Sequence, residues 1–577
     1  MSGRWPSIPR PETGHAPDDP FYRRAETYLD GMLKLNPHAA TYLGYHRYDG
    51  LMDDYGPEGI AGRLAFFRQA AADFAAFRPE TLSTGAAVDL DLVRTDTDSA
   101  LFHLTDLRSH ESDPQIYNDI LGYGTLYLTI LEPGAPEWPD RLEALLGRLR
   151  ALPRFLRDAR QNLKSPARVV TSFIAEQNPG NIAFVETALP PLFSPYPALD
   201  ADLRRELPAA LDALRDYQRF LETELTARST GDWRLGPGLW SRKLRLTLQS
   251  DLEPEEIQRR AWKHLHRGRA AMMKLAEPMH ARLFPGHRHP EGGDDLINAL
   301  VGEVLEEVSR RHSEPDRVLD DCRRWVEKCK AFIRSKDLIT LPPESDNFVV
   351  ERTPAFLDGM AVAFFNPPPA FEPHLKKSFW VSSIPRDGVA SYLREYNDYG
   401  LQCLAIHEAF PGHYVQFYHA LNSPIASIYK KVFPSSTFAE GWAVLCEEQV
   451  FEQGYGEGEP EALLVHLKMA LRAPLNAILD ARLHTEPMPD DEADRWALDL
   501  MRRYGFQEEA EAVRKLRRAK VSSTQLSTYF VGYLDLLDLM RDYRAQEGVA
   551  FQLKSFNEAL LSLGTIPPRA VRRLLLG

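Results

Sequence analysis

Two histidines flank a glutamate in the stretch His407-Glu408-Ala409-Phe410-Pro411-Gly412-His413, inside the apolar run 401–417. Neutral imidazoles are zinc ligands and an unliganded carboxylate is a general base, so these residue types point to a hydrolytic metal site. The spacing departs from the usual zincin pattern. In His-Glu-x-x-His the rings lie about 400° apart around a helix of roughly 3.6 residues per turn and share a face. From His407 to His413 the steps of about 100° add up to leave the rings roughly 120° apart, so a continuous helix cannot aim both at one ion. Pro411 removes a backbone donor and Gly412 permits unusual dihedrals; together they predict a bulge or kink that swings His413 back. The competing reading is a helix that ends at Pro-Gly, with His413 opening another helix and no metal between them.

A catalytic zinc commonly takes two histidines and one glutamate and keeps a position open for water. The stretch Phe438-Ala439-Glu440-Gly441-Trp442-Ala443 offers Glu440 as that third ligand, on a helix predicted to run to about Phe451. Glu447 falls near the same face, about two turns on, where it can hydrogen-bond a ligand histidine. The ordinary fate of such a residue is a solvated helix carboxylate.

These motifs resemble the bacterial domain of unknown function 885 family, and the resemblance extends over nearly the whole chain. It rests on the His407 to Tyr414 signature with Gln416, on Ala439-Glu440-Gly441-Trp442-Ala443, and on the opening Asn36-Pro37-His38-Ala39-Ala40-Thr41-Tyr42-Leu43-Gly44 with Asp49. Asp480 with His484, and Arg518 with Gln525, Tyr529 and Gly532, fall at the family's other recurring positions. The resemblance implies a mainly helical, zinc-dependent metallopeptidase-like scaffold with a glutamate third ligand, and no particular substrate. The chain departs from the pattern at Ser523-Thr524, where Pro-Gly is expected before Gln525, and at Phe530, where a lysine is expected after Tyr529. These departures bear on the substrate side rather than the metal side.

The chemistry expected of such a site is peptide hydrolysis. With His407, His413 and Glu440 holding zinc, Glu408 takes a proton from the attacking water and passes it to the leaving amine. The developing oxyanion needs a further donor. Tyr529 is the first candidate. His484 is the second, with Asp480 one turn earlier to orient it or favour its charged form. Arg518 is a candidate for binding a substrate carboxylate bidentately, which favours carboxypeptidase or dipeptidase action on short peptides. Against Arg518 stands the cluster Arg514-Lys515-Leu516-Arg517-Arg518, which reads as a solvated helix face. Two alternatives stay open: a zinc-dependent amide or ester hydrolase acting on a non-peptide substrate, and a catalytically silent peptide-binding scaffold. Glu408 speaks against the second, because metal binding alone does not require it. Cys403, one turn before His407, reads as a core residue rather than a nucleophile.

The elements that must position these residues are helical. The 577 residues are 44% hydrophobic and 26% charged, which excludes wholesale disorder, and the net charge of −13 argues against bulk nucleic-acid binding. No linker divides the chain, so we expect two closely packed lobes, 1–250 and 251–577, the second carrying the zinc motif. Helices are expected over 21–35, ended by Asn36-Pro37, and over 141–162 after Trp138-Pro139. Others are expected to start at Pro254 and at Ser313-Glu314-Pro315-Asp316. The proline-rich segment 189–197 reads as a loop. One β region is expected at 348–352, 360–365 and 378–382, forming a small sheet beside the cleft whose edge could pair with an extended substrate. Four cysteines without a CxxC pair, no apolar leader and no stretch near eighteen apolar residues lead to the expectation of a cytoplasmic protein with no membrane partner. The oligomeric state is not legible.

Overall fold

The computed structural model describes residues 8–131, 134–354, 357, 362–384 and 388–577. The fold is mainly α, with one three-stranded sheet among the described residues. Helix Asp18–Leu35 stops at Asn36, and Pro37 opens the next short helix, where its missing N–H costs nothing. Trp138–Asn162 likewise carries Pro139 in its first turn. Pro254–Leu283 has Glu255 and Glu256 at its start and His280 and Arg282 at its end, so both ends suit the helix dipole.

Two expectations are corrected. The segment 189–197 is not a loop throughout: Leu189–Phe193 is helical, because Pro190 and Pro191 occupy its first turn, and only 194–196 separate it from Pro197–Phe220. The helix expected at Ser313 begins at Val318 instead, with Asp320 and Asp321 filling its first turn.

The apolar residues gather into three main cores. One lies within 117–225. A second joins 8–93 to Leu421, Ile428, Tyr429 and Val432. The third and largest runs through the second half of the chain around the motif helices. Buried polar contacts stitch the halves together. Lys430 Nζ lies 2.6 Å from Asp89 Oδ1, and His46 bridges Asp49 and Glu372 at 2.9 and 2.8 Å. The opening motif therefore serves packing: Thr41 Oγ1 donates to Asp49 at 2.7 Å, and His38 Nδ1 pairs with Asp53 at 2.8 Å.

Contrary to the sequence reading, the helical stretch 460–485 is long and apolar enough to span a membrane by composition. However, its most apolar 18-residue window is 78% buried inside the protein, as a core helix requires.

The sheet comprises β1 (Phe348–Arg352), β2 (Ala363–Asn366) and β3 (Lys377–Val381). Its order is β1-β3-β2, with β1 parallel and β2 antiparallel to β3. β2 is thus an edge strand, as expected; Met360 and Ala361 of the expected strand lie outside the described residues. Ser382 N donates to Val362 O at 2.9 Å, so alternation along the strand turns the backbone groups of Ala363 and Phe365 to the outer edge.

Candidate metal centre

The first motif helix, Asp398–Glu408, is capped by Asn397, whose side chain accepts from the N–H groups of Tyr399 and Gly400. It ends at Glu408, and a second helix, His413–Asn422, begins at once. The expected bulge is therefore corrected to a full break. Phe410 N donates to Ala405 O and Gly412 N to Ile406 O, folding the intervening turn back on the first helix. A Cβ at Gly412 would stand 1.8 Å from His407 O, so only glycine permits this approach. Trp442 Nε1 donates to Pro411 O at 3.0 Å and fastens the turn. The competing sequence reading had the right backbone, but the tight reversal brings the rings of His407 and His413 to 4.9 Å between centroids, 88° apart.

Glu440 comes from helix Ser436–Glu452, whose N-cap Ser435 accepts from Phe438 N. Its Oε2 lies 3.6 Å from His407 Nε2 and 3.6 Å from His413 Nε2. That oxygen is buried and has no hydrogen-bond partner among the described residues. A tetrahedral ion with ligands at about 2.1 Å would separate its donor atoms by about 3.4 Å, close to these spacings. The three donor atoms fit a metal, and the orphaned oxygen is the observation that carries the fit.

Each imidazole is oriented from behind. His407 Nδ1–H donates to Glu447 Oε1 at 2.7 Å, which leaves the Nε2 lone pair facing Glu440. Glu447 is buried beside His407, where its position on the helix face had put it, and is not a solvated carboxylate. His413 Nδ1 faces Gln416 Oε1 at 3.4 Å, and Gln416 is held in turn by its Nε2 donating to Thr565 Oγ1 at 3.1 Å. Burial pushes His407 toward its neutral form, but Glu440 and Glu447 outweigh it and hold the pKa well above the ordinary imidazole value. For Glu440, the two histidines overcome burial and hold the carboxyl well below its usual range. A positive charge among these groups is strongly favoured.

Glu408 points to the sheet. Its Oε2 accepts from Phe365 N, on the outer edge of β2, at 2.8 Å. Burial raises its pKa, and the two histidines pull it back only in part.

Helix Ser527–Glu547 crosses Ser436–Glu452 at Gly441 and Gly532. A Cβ on Gly532 would lie 1.8 Å from Thr437 O, and one on Gly441 2.3 Å from the Gly532 carbonyl carbon. This approach carries Tyr529, one turn before Gly532, to the same cavity as Glu440. Arg518 Nη2 donates to Tyr529 Oη at 3.1 Å and to Gln525 Oε1 at 2.8 Å. Burial raises the Tyr529 pKa and the Arg518 charge opposes it. Arg518 is not on a solvated face: it lines the cavity, as does Lys515, whose pKa burial pushes down to about 7.

His484 does not join the site, which corrects its place as an oxyanion donor. It is buried outside the cavity lining, with Nε2 bonded to Ala519 O at 2.8 Å and Trp233 packed edge-on. Asp480 does not hydrogen-bond it. Instead, the Asp480 carboxylate accepts from Thr524 N at 2.7 Å and from Ser527 Oγ at 2.5 Å, bracing the turn that presents Gln525. On a well-packed buried helix, each group is held by local backbone and side-chain partners outside the cavity.

The cavity has a volume of about 1120 Å³. Tyr123 and Phe173 of the first half line it as well, and the β2 edge forms part of its wall. Sequence reasoning missed these two aromatics, the Phe365 N–H and Lys515. Only Lys515 left a signal, lying on one helix face with Arg518 three residues on.

Fold and site together define a mainly helical chain with a half-buried two-histidine, one-glutamate cluster opening on a large cavity. Residues 37–575 match the family described as "Bacterial protein of unknown function (DUF885)", and the chain belongs to that family. Among curated proteins, none is similar in sequence. A solved structure described as "a putative lipoprotein of unknown function from Shewanella oneidensis" is 28% identical, with 96% of this chain and 100% of that one covered at a TM-score of 0.80. The "putative lipoprotein from Colwellia psychrerythraea" shares the fold at 16% identity, 96% and 98% coverage and a TM-score of 0.74. The cytoplasmic expectation is corrected by these structures, both described as putative lipoproteins.

Proposed function

We propose that this chain is a zinc-dependent peptidase that hydrolyses short peptides as a carboxypeptidase or dipeptidase. The observation that carries the reading is the juxtaposition of the His407, His413 and Glu440 donor atoms with Glu408, an acid that is not one of them and is held by the edge strand. Bound zinc in a three-ligand site supplies Lewis-acid polarisation of a carbonyl and an acidified water.

The chain's own groups do the rest. Glu408 receives the proton from the attacking water and delivers it to the leaving amine, and the Phe365 N–H keeps its carboxylate aimed. The outward backbone groups of Ala363 accept an extended peptide as an added strand. Tyr529 presents its hydroxyl to the oxyanion, with Arg518 favouring charge on that side of the cavity. Arg518 and Lys515 bind the substrate's terminal carboxylate. The enclosing walls, Tyr123 and Phe173 among them, admit an unstructured peptide and exclude a folded protein.

The test is a mixture of short peptides incubated with the purified protein, with and without a chelator, and read by mass spectrometry. Truncation from the C-terminal end that stops with chelator and returns with zinc is expected. Unchanged cleavage in chelator, or none with zinc restored, would overturn the reading.

A further inference from the structure

A second cluster of metal-binding side chains lies at the far end of the long helix Pro254–Leu283. His280 stands in its last turn, His287 and His289 in the following connection, and Glu303 on the returning helix Gly293–Ser309. One ligand atom from each of the four lies within 4.8 Å of the others. Glu303 Oε2 is 2.8 Å from His280 Nε2, 3.4 Å from His287 Nδ1 and 3.5 Å from His289 Nε2. The Nε2 atoms of His280 and His289 are 3.3 Å apart.

Three ring nitrogens thus converge on one carboxylate oxygen. The connection is short, with Pro285 and Pro290 and a left-handed Gly286 at φ +81°, and it folds back so that both of its histidines face His280. Two imidazole nitrogens in direct contact require one to donate and the other to accept, or a cation between them. A tetrahedral ion with ligands at about 2.0–2.1 Å sets its ligands about 3.3 Å apart, which three of the four distances match. Glu291 Oε2 lies 3.7 Å from His289 Nδ1, on the far side of the ring from Glu303.

We propose that His280, His287, His289 and Glu303 form a second divalent-metal site, of zinc class, that pins the connection to the helical hairpin. Four protein ligands close the coordination shell, which makes the site structural. Imidazole and carboxylate donors without a thiolate suit zinc, cobalt or nickel over copper(I). Gly268 lines the cavity, and the twelve residues from it to His280 span about 18 Å of helix, so the ion is far from any substrate there. The site is independent of the proposed function.

The experiment uses the full chain, stripped and reloaded with zinc, in wild-type and His413→Ala backgrounds; the second removes a ligand of the first cluster. In the His413→Ala background, one zinc per chain is expected to remain. Adding His287→Ala and His289→Ala should abolish it and erase the zinc-dependent rise in melting temperature. Cobalt reloading of His413→Ala should give the visible bands of a tetrahedral site, lost in the triple variant. In the wild-type background, the His287→Ala, His289→Ala pair should lower the zinc count by one and leave hydrolysis intact. If the paired variant fails to fold, Glu303→Gln serves, with zinc affinity expected to fall at least about tenfold. A folded His413→Ala protein that binds no zinc, or zinc binding indifferent to the loop histidines and to Glu303, would overturn the site.

Discussion

Gly441 and Gly532 face each other where two long helices cross, each too close to the other's backbone to carry a side chain. The residues one position before Gly441 and one turn before Gly532 are Glu440 and Tyr529, so the contact fixes the distance between a candidate metal ligand and a candidate hydrogen-bond donor. Gly532→Ala would force a Cβ to within 1.8 Å of Thr437 O. The helices must part, and we expect a loss of about 3 kcal/mol or more. Thermal and urea unfolding measure it; a variant of wild-type stability would refute the packing argument.

Glu447 acts through His407. With Nδ1 no longer tied to a carboxylate, the ring loses its fixed tautomer and orientation. Glu447→Ala should lower zinc affinity at the first cluster about 10–100-fold with the fold retained. A competition titration against a chelator of known affinity reads this directly, and unchanged affinity would reduce Glu447 to a packing residue.

The residue types of this cluster were legible because chemistry needs them: His407, Glu408, His413 and Glu440 stand out by type and neighbours. Their geometry was not. The six-residue spacing suggested a distorted helix, whereas the chain solves the problem with a break, a reversal and a glycine against the helix end. Helix starts followed from proline and acidic residues, and the small sheet from its apolar runs. Lys515 was misplaced because a charged residue on a helix is read as solvated unless its burial is known, and burial is set by which helices pack together; Glu447 was legible as a partner of a histidine from its place on the helix face, and His407 Nδ1 meets it there. His484 failed in the opposite direction, since its recurring place beside Asp480 suggested chemistry where the fold uses both for support. The loop pair His287 and His289 carried no local signal of their partners, which lie on two different helices.

Lys515 provides a pH test. Burial, with the nearby Arg472 and Arg518 cations, lowers its folded pKa to about 7, while Glu511 and Glu395 oppose the shift. The unfolded value is about 10.4. Between these values the unfolded chain binds more protons, so the Lys515 contribution to stability falls as pH drops from about 10 to about 7 and levels off below. Lys515→Met should therefore gain stability relative to wild type progressively over that window. Denaturation midpoints of both proteins at pH 6, 7, 8 and 9 measure it; a difference independent of pH would contradict the buried placement.

Arg518 makes the substrate end readable. A charge-assisted hydrogen bond to a carboxylate contributes about 1.5–3 kcal/mol, so a peptide with a free C-terminus should be hydrolysed about 10–100-fold more efficiently than its amidated twin. Arg518→Gln should erase the preference. Equal kcat/KM for the two wild-type substrates would remove carboxylate recognition from the account.

The central claim is that one residue, Glu408, does chemistry beside a cluster that holds the metal without it. The most direct test is to measure zinc content and peptide turnover on the same preparation of Glu408→Gln, which keeps the side chain's size and its capacity to accept from Phe365 N. The account requires the zinc content of wild type with turnover lowered about 10²–10⁴-fold. Wild-type turnover by the zinc-loaded variant would contradict it.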